Sequence, residues 1–385
     1  MHIHIARGAA ALAAAMGIGR FVYTPILPLM TSQVGLSPSG ASGLATANYA
    51  GYLAGALAAV GFPRAMRSTL GWRVALSAVV ASLVAMPLVH AVGAWLIIRF
   101  VAGFASAAVF VVAVDWMLDH ARGGSAQLPG WGFGGVGLGI AASGALVLLL
   151  PSAGWRTAWL AAATLAAVVA AIAFRMRPVG GADRAIPGPQ QSSRFRFGVL
   201  LGCYTLEGIG YIIAGTFLAA AVGHDAPHWL GTGAWVVVGV AAAPSAALWA
   251  WASAHRSHAS LLVVALTLQA TGIALAALVG GTVAALLGAL LFGGTFIGIS
   301  TVTLAAGRLL GSSSAVAILT TGYSLGQIAG PLLVTPLLHS GFRVALTVSA
   351  AIVLASALTA LWLRIGTGRP AAATTPRTAR VAHRA

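Results

Sequence analysis

The chain has 385 residues, of which 59% are hydrophobic and 7% charged, against about 25% charged in a soluble domain. So little polar surface cannot cover a water-soluble particle of this size, so the composition is that of a polytopic membrane protein. The net charge of +16 does not indicate a nucleic-acid binder, because no aromatic-interleaved basic domain exists to carry that function.

A membrane span needs about 20 mostly apolar residues. Twelve such stretches follow one another at 8–30, 38–61, 71–90, 92–118, 129–151, 155–174, 197–221, 229–252, 259–279, 282–305, 312–337 and 342–364. The start, Met1 to Gly19, imitates a secretory signal, with Arg7 ahead of an Ala-rich run. The apolar stretch continues to Met30, however, so it reads as the first span. One long polar interruption, 175–196, is rich in Pro, Gly, Gln, Ser and Arg and separates a six-span unit at 1–174 from another at 197–364. The stretch 365–385 is rich in Ala, Thr, Pro and Arg and reads as a disordered tail.

All 21 basic residues are Arg, and 17 of them fall in the N-terminus, the even-numbered loops or the tail. Only Arg156 and Arg343 flank spans on the other side. The positive-inside rule therefore places both termini and the 175–196 linker in the cytoplasm, with the chain multi-pass in the inner membrane. Cys203 is the single cysteine, and no His pair with metal-binding spacing lies inside a span, so neither a metal nor a cofactor is expected.

The two halves resemble one another. Gly17-Ile18-Gly19 matches Gly208-Ile209-Gly210, Gly132-Phe133 matches Gly322-Tyr323, and Gly154-Trp155-Arg156 matches Gly341-Phe342-Arg343, in order and at nearly constant offset. Such duplication predicts two parallel six-helix repeats with a site near the midplane between them. In span five, Gly130, Gly132, Gly134, Gly135, Gly137 and Gly139 leave one helix almost bare of side chains. Helices in lipid associate through such close backbone contacts, so span five is read as a packing helix and as a surface against which the other half rocks.

The charges inside spans are few: Arg20, Arg99, Asp115 and Glu207. A charged residue at the bilayer centre costs about 2.5–3.5 kcal/mol on insertion scales, so each marks a pathway or a pair. Arg20 can bind a carboxylate or phosphate with both prongs of its guanidinium, or it can pair permanently with Glu207. The repeat places these two charges about one helical turn apart in depth. Glu207 is the candidate titrating group, since substrate competing for Arg20 would free it to take up a proton. By helical spacing Tyr204, Glu207 and Tyr211 share one face, as do Tyr323 and Gln327, while Arg20 shares a face with Tyr23 and Thr24, and Asn48 with Tyr52. A polar, aromatic cavity follows from these faces, and helix packing is the alternative role for each Tyr or Asn. Arg99 falls on the non-cytoplasmic side of span four, between Trp95 and Trp116 as interface anchors, where it can snorkel.

Several strings carry a resemblance: Gly17-Ile-Gly-Arg-Phe-Val-Tyr-Thr-Pro-Ile-Leu-Pro-Leu-Met30, Asn48-Tyr-Ala-Gly-Tyr52, Glu207-Gly-Ile-Gly-Tyr211, and Thr321-Gly-Tyr-Ser-Leu-Gly-Gln-Ile-Ala-Gly-Pro331. Over residues 7–364 the sequence is similar to the YbfB/YjiJ-type transporters of the major facilitator superfamily. The resemblance implies an all-α membrane protein of twelve transmembrane helices in two pseudo-symmetric six-helix bundles. It also implies secondary transport across the inner membrane. Arg99-Phe-Val-Ala-Gly103 resembles the superfamily's span-four Arg motif, which is linked to proton coupling. The loop between spans two and three should resemble Gly-x-x-x-Asp-Arg-x-x-Gly-Arg. It holds Arg64, Arg67 and Arg73 but no Asp, which leaves Asp115 as an alternative partner in a cytoplasmic latch.

The expectation is a non-enzymatic, monomeric, proton-coupled transporter of a small organic anion, with broad efflux of neutral drugs or sugars as the alternative. Arg20, Tyr23, Asn48, Tyr211, Tyr323 and Gln327 are expected at the substrate. Glu207 and Arg99 are assigned to proton coupling, and Asp115, Arg64 and Arg67 to gating. A membrane-embedded enzyme is disfavoured because the spans carry no His-Glu-x-x-His, paired acids or Gly-x-Ser-x-Gly elbow. A channel is disfavoured because the duplicated halves supply a pathway within one chain.

Overall fold

The computed structural model describes residues 2–120, 128–150, 154–176, 194–223, 228–310 and 315–364. Residues 177–193 of the expected linker and all of the expected tail lie outside these, as do Asp183 and Asp225.

Every long element among the described residues is a helix. In chain order these are α1 (His2–Leu12), α2 (Tyr23–Val34), α3 (Pro38–Gly61), α4 (Pro63–Met66), α5 (Thr69–Ala85), α6 (Val92–His120) and α7 (Leu128–Leu148). They continue as α8 (Trp155–Phe174), α9 (Arg194–Gly223), α10 (His228–Ser253), α11 (His258–Ala274), α12 (Gly281–Leu310), α13 (Ala315–Val334) and α14 (Phe342–Leu361). Ten helical spans among the described residues are long and apolar enough to cross a membrane, the first being Ile3–Val34, which runs from α1 into α2. The protein is a multi-pass membrane protein. Outward-facing Leu138, Val240, Val283 and Leu287 are exposed, which fits a lipid-facing surface.

Helices α3 and α13 are 24 and 20 residues long but are not among the ten. Their sequences are diluted by small and polar residues, and those residues are spent on contacts inside the protein. Ser42 donates to the Pro331 carbonyl (2.8 Å) and lies 2.6 Å from the Thr335 hydroxyl. In α13, Gln327 and Ser324 are buried.

The expected first span is continuous only in outline. A π-helical segment, Ala13–Ile18, follows α1, and the chain turns through 19–22 before α2 begins. Pro25 explains the break. It has no N–H, and its ring clashes with the carbonyl four residues back, that of Phe21. Phe21 O instead accepts the Thr24 N–H at 3.2 Å, and the Gly19 N–H reaches back five residues to Ala14 O at 2.8 Å. Gly35, with φ of 63°, then ends α2 in the left-handed region.

The glycine-rich α7 lies between two partners. On one face a Cβ at Gly137 would sit 2.7 Å from the Ala243 Cα of α10. On the other, a Cβ at Gly17 of the π segment would sit 2.5 Å from the Gly139 Cα. Backbones this close require glycine, which accounts for the bare helix read from the sequence.

Candidate functional site

Three clusters form around the break in the first span and the helices facing it. The first is a clamp. Arg99 of α6 is 2% exposed. Its guanidinium donates to two successive carbonyls of the break, Arg20 O at 3.1 Å and Gly19 O at 3.4 Å. Because the Thr24 N–H has gone to Phe21, Arg20 O has no helical donor from that residue, and in lipid it needs one from within the protein. The ring of Tyr23 lies 5.0 Å beneath the same guanidinium, and its hydroxyl donates to Ala41 O of α3 at 2.9 Å. Asn48 donates to Arg99's own carbonyl at 2.9 Å. The sequence placed Arg99 in a snorkelling position. It is instead drawn inward, because a planar fork matches two adjacent freed carbonyls. Tyr23 and Asn48, expected at the substrate, have their polar contacts in this clamp.

The second cluster surrounds Arg20. The clamp fixes its backbone, and its side chain, 3% exposed, crosses to the second half of the chain. Nη2 donates to Gln327 Oε1 of α13 at 2.6 Å. The guanidinium carbon lies 4.2 Å from the centroid of Tyr52, 4.9 Å from Tyr49 and 5.3 Å from Phe21. Ring faces stabilise the cation, but Nε has no hydrogen-bond partner. Of the two roles the sequence left open for Arg20, the pair with Glu207 is not formed in this structure: an amide and three rings hold the cation instead. Nearby, Thr24 donates to Gly215 O at 2.6 Å, and the hydroxyls of Tyr49 and Thr216 meet at 3.0 Å. Both contacts tie the first half of the chain to α9.

The third cluster belongs to the second half. Tyr204 of α9 stacks on Tyr323 of α13 with centroids 4.3 Å apart and planes at 16°. Tyr211 stacks on Tyr323 at 5.9 Å, on Phe296 of α12 at 5.3 Å and on Phe292 at 5.9 Å. Glu207, fully buried, faces α11, where Gln269 Nε2 donates to its Oε1 at 3.4 Å.

The structure thus brings Arg20 together with Gln327, and Tyr211 with Tyr323, but keeps Glu207 and Arg20 on separate partners. The open cavity expected from the helix faces is a packed core here, since Arg20, Glu207, Gln327 and Tyr211 are all almost fully buried. Sequence reasoning missed Gln269, although a lone amide in an otherwise apolar span was a visible signal. It also missed Phe292 and Phe296, which read as ordinary apolar residues.

At the far end of α6, Arg67 binds Asp115 through Nε (3.0 Å) and Nη2 (2.7 Å), both to Oδ2. The side chains are 30% and 37% exposed. Asp115 therefore takes an Arg of the preceding loop, as the missing acid of the loop motif suggested. The partner is Arg67, whereas Arg64 stands exposed on α4.

A family model described as "Uncharacterised MFS-type transporter YbfB" matches residues 12–361. The chain belongs to this family. It is a membrane transporter of the major facilitator type, as the first-span string implied. Among solved structures, the crystal structure of a mutant of the nucleoside transporter NupG is similar with a TM-score of 0.70 at 11% identity, covering 93% of this chain and 99% of that one. A second NupG crystal structure gives 0.68 at 12% identity, covering 94% and 99%. At such identities the likeness concerns the fold alone. No curated protein matches the sequence.

Proposed function

We propose that this YbfB-type protein is a secondary active transporter of a small organic anion, working by alternating access and coupled to protons. In this reading twelve helices span the inner membrane as two six-helix bundles, 1–174 and 197–364, with both termini cytoplasmic. The ten apolar spans are completed by α3 and α13, whose polar residues face the centre.

One observation carries the substrate class. Arg20 is a buried guanidinium between the two chain halves, its side chain is hydrogen-bonded to an amide rather than a carboxylate, and its Nε lacks a partner. Burying a charge without a counter-ion leaves a penalty of several kcal/mol, and a bound carboxylate or phosphate would relieve it in two-pronged fashion. Gln327 would turn from holding Arg20 to holding the anion. Glu207 is the proton carrier in this reading, with Arg99 acting on coupling through the position of Arg20. Arg67 and Asp115, with Arg64 beside them, form a cytoplasmic gate.

The stacked rings of Tyr204, Tyr211, Tyr323, Phe292 and Phe296 favour a second reading. Such rings suit a flat neutral compound, and the similar NupG structures are of a nucleoside transporter. The test is thermal stability of the purified protein against a panel of organic anions and neutral aromatic or sugar compounds. A ligand at a hundred times its Kd stabilises by about 2.7 kcal/mol. Stabilisation by an anion that disappears in Arg20→Ala supports the first reading. Equal stabilisation of both proteins by neutral compounds alone overturns it in favour of the second.

A further inference from the structure

We propose that Glu207 and Gln269 form a proton-holding acid–amide pair, in which Glu207 carries a proton in this conformation and hands its hydrogen bond to Gln269 rather than to any base. The proposal rests on the transporter reading for its purpose but not for its geometry. Both side chains are fully buried. A single contact joins them, Gln269 Nε2 to Glu207 Oε1 at 3.4 Å, which leaves Glu207 Oε2 and Gln269 Oε1 without partners. These two orphans are both acceptors when the carboxyl is ionised, and one proton satisfies both. On Oε2 it makes the carboxyl a donor toward Gln269 Oε1, while Gln269 Nε2 keeps donating to Oε1. The planar acid and the planar amide then close a ring of two hydrogen bonds.

The surroundings supply no alternative to that proton. Among the described residues, the titratable groups around Glu207 include Cys203, Tyr204 and Tyr211 from its own helix and Tyr323 from α13. Helix α11 contributes Gln269, and α14 contributes Ser356, which is engaged with Cys203. Of the two buried cations, Arg20 is bonded to Gln327 and Arg99 to the carbonyls of Arg20 and Gly19. An ionised Glu207 would therefore be a buried anion with one long hydrogen bond, whereas the neutral acid is fully satisfied. Gln269 is a positioning residue here: it holds the carboxyl toward α11 and away from Arg20. Release of the proton would remove the reason for Glu207 to stay with the amide and free it to seek Arg20.

Infrared spectroscopy of the full-length protein in substrate-free liposomes at pH 7 tests the pair. Wild type is expected to show the C=O stretch of one protonated carboxyl. Glu207→Gln should abolish it, and Gln269→Leu should shift it to the higher frequency of a weakly bonded acid. The exchanged variant, Glu207→Gln with Gln269→Glu, should keep a band, since the acid and amide merely trade helices. Protection of Cys203 from maleimide checks that each variant is folded. Absence of the band in wild type overturns the proposal, and so does a band that survives Glu207→Gln or ignores Gln269→Leu. Anion binding through Arg20 is read by a separate assay, so either reading can fail while the other stands.

Discussion

Replacing Arg99 with Lys isolates what the guanidinium does for the broken first span. Arg99 bridges Arg20 O and Gly19 O, at 3.1 and 3.4 Å, from a position 2% exposed. Lysine keeps the charge but carries a point ammonium, which cannot reproduce a planar fork across two adjacent carbonyls. A hydrogen bond to a charged group contributes about 1.5–3 kcal/mol, and the longer of the two is the one to be lost. We expect Arg99→Lys to destabilise by about 1.5 kcal/mol, the low end of that range, and Arg99→Met by more, since it abandons both carbonyls. The lone cysteine offers the assay. Cys203 is buried against Ser356, so its labelling by a fluorogenic maleimide during heating reports unfolding at one known site. The displaced break should also weaken anion stabilisation, because Arg20 starts from the segment the clamp holds. If both variants label Cys203 along the wild-type curve, the freed carbonyls do not depend on Arg99 and the clamp is wrong.

Other perturbations follow from the same contacts. Gly17→Ala places a methyl 2.5 Å from the Gly139 Cα and should destabilise by about 1–3 kcal/mol through overpacking, whereas Gly198→Ala, with open space around it, should stay within about 0.5 kcal/mol of wild type; Cys203 labelling measures both. Asp115→Asn should change stability by less than about 1 kcal/mol, because its pair with Arg67 is partly exposed. If that pair is the gate, the variant should alter transport rate far more than melting, and the exchanged pair Arg67→Asp with Asp115→Arg should restore the rate. Gln327→Leu should leave anion stabilisation weaker while raising the reactivity of an Arg20-directed dicarbonyl reagent, since Arg20 loses its amide partner; unchanged reactivity would mean that Gln327 does not hold it.

The fold was legible because its signal is long and repetitive. Twelve apolar stretches predict the long helices with ends mostly within a few residues, as in Trp155–Phe174 for an expected 155–174. The break in the first span was not read, although Pro25 and Pro28 advertise it, because both residues also fit a continuous membrane helix. The site was legible in its membership more than in its pairing. Arg20, Glu207, Tyr211 and Gln327 are buried in the core of the protein, and Tyr323 is half-buried against it. Helical spacing gives each residue a face but not its partner, so Arg20 with Gln327 and Glu207 with Gln269 had to come from the packing. Asn48 and Tyr23 show the same limit from the other side, since a polar residue on an inward face serves a neighbouring helix as readily as a ligand.

The contacts across the chain halves also bear on how such a protein can move. Thr24 to Gly215, Tyr49 to Thr216, Ser42 to Pro331 and Arg20 to Gln327 join α2, α3 and the break to α9 and α13. The first three are neutral hydrogen bonds, each contributing about 0.5–1.5 kcal/mol net, because water takes over when they open. The fourth involves a charge and contributes about 1.5–3 kcal/mol. Together they amount to several kcal/mol, comparable to the roughly 5.5 kcal/mol that moves a two-state equilibrium from 1:99 to 99:1. The α7–α10 seam differs in kind. Among the described residues it is built of glycine–alanine backbone contacts with no hydrogen bond across it, so opening it would cost packing alone. In the anion reading proposed above, a substrate that takes Arg20 from Gln327 would remove the strongest of the four contacts and gain an ion pair in exchange. Substrate binding at that one residue would therefore both weaken the seal and supply the free energy to open it.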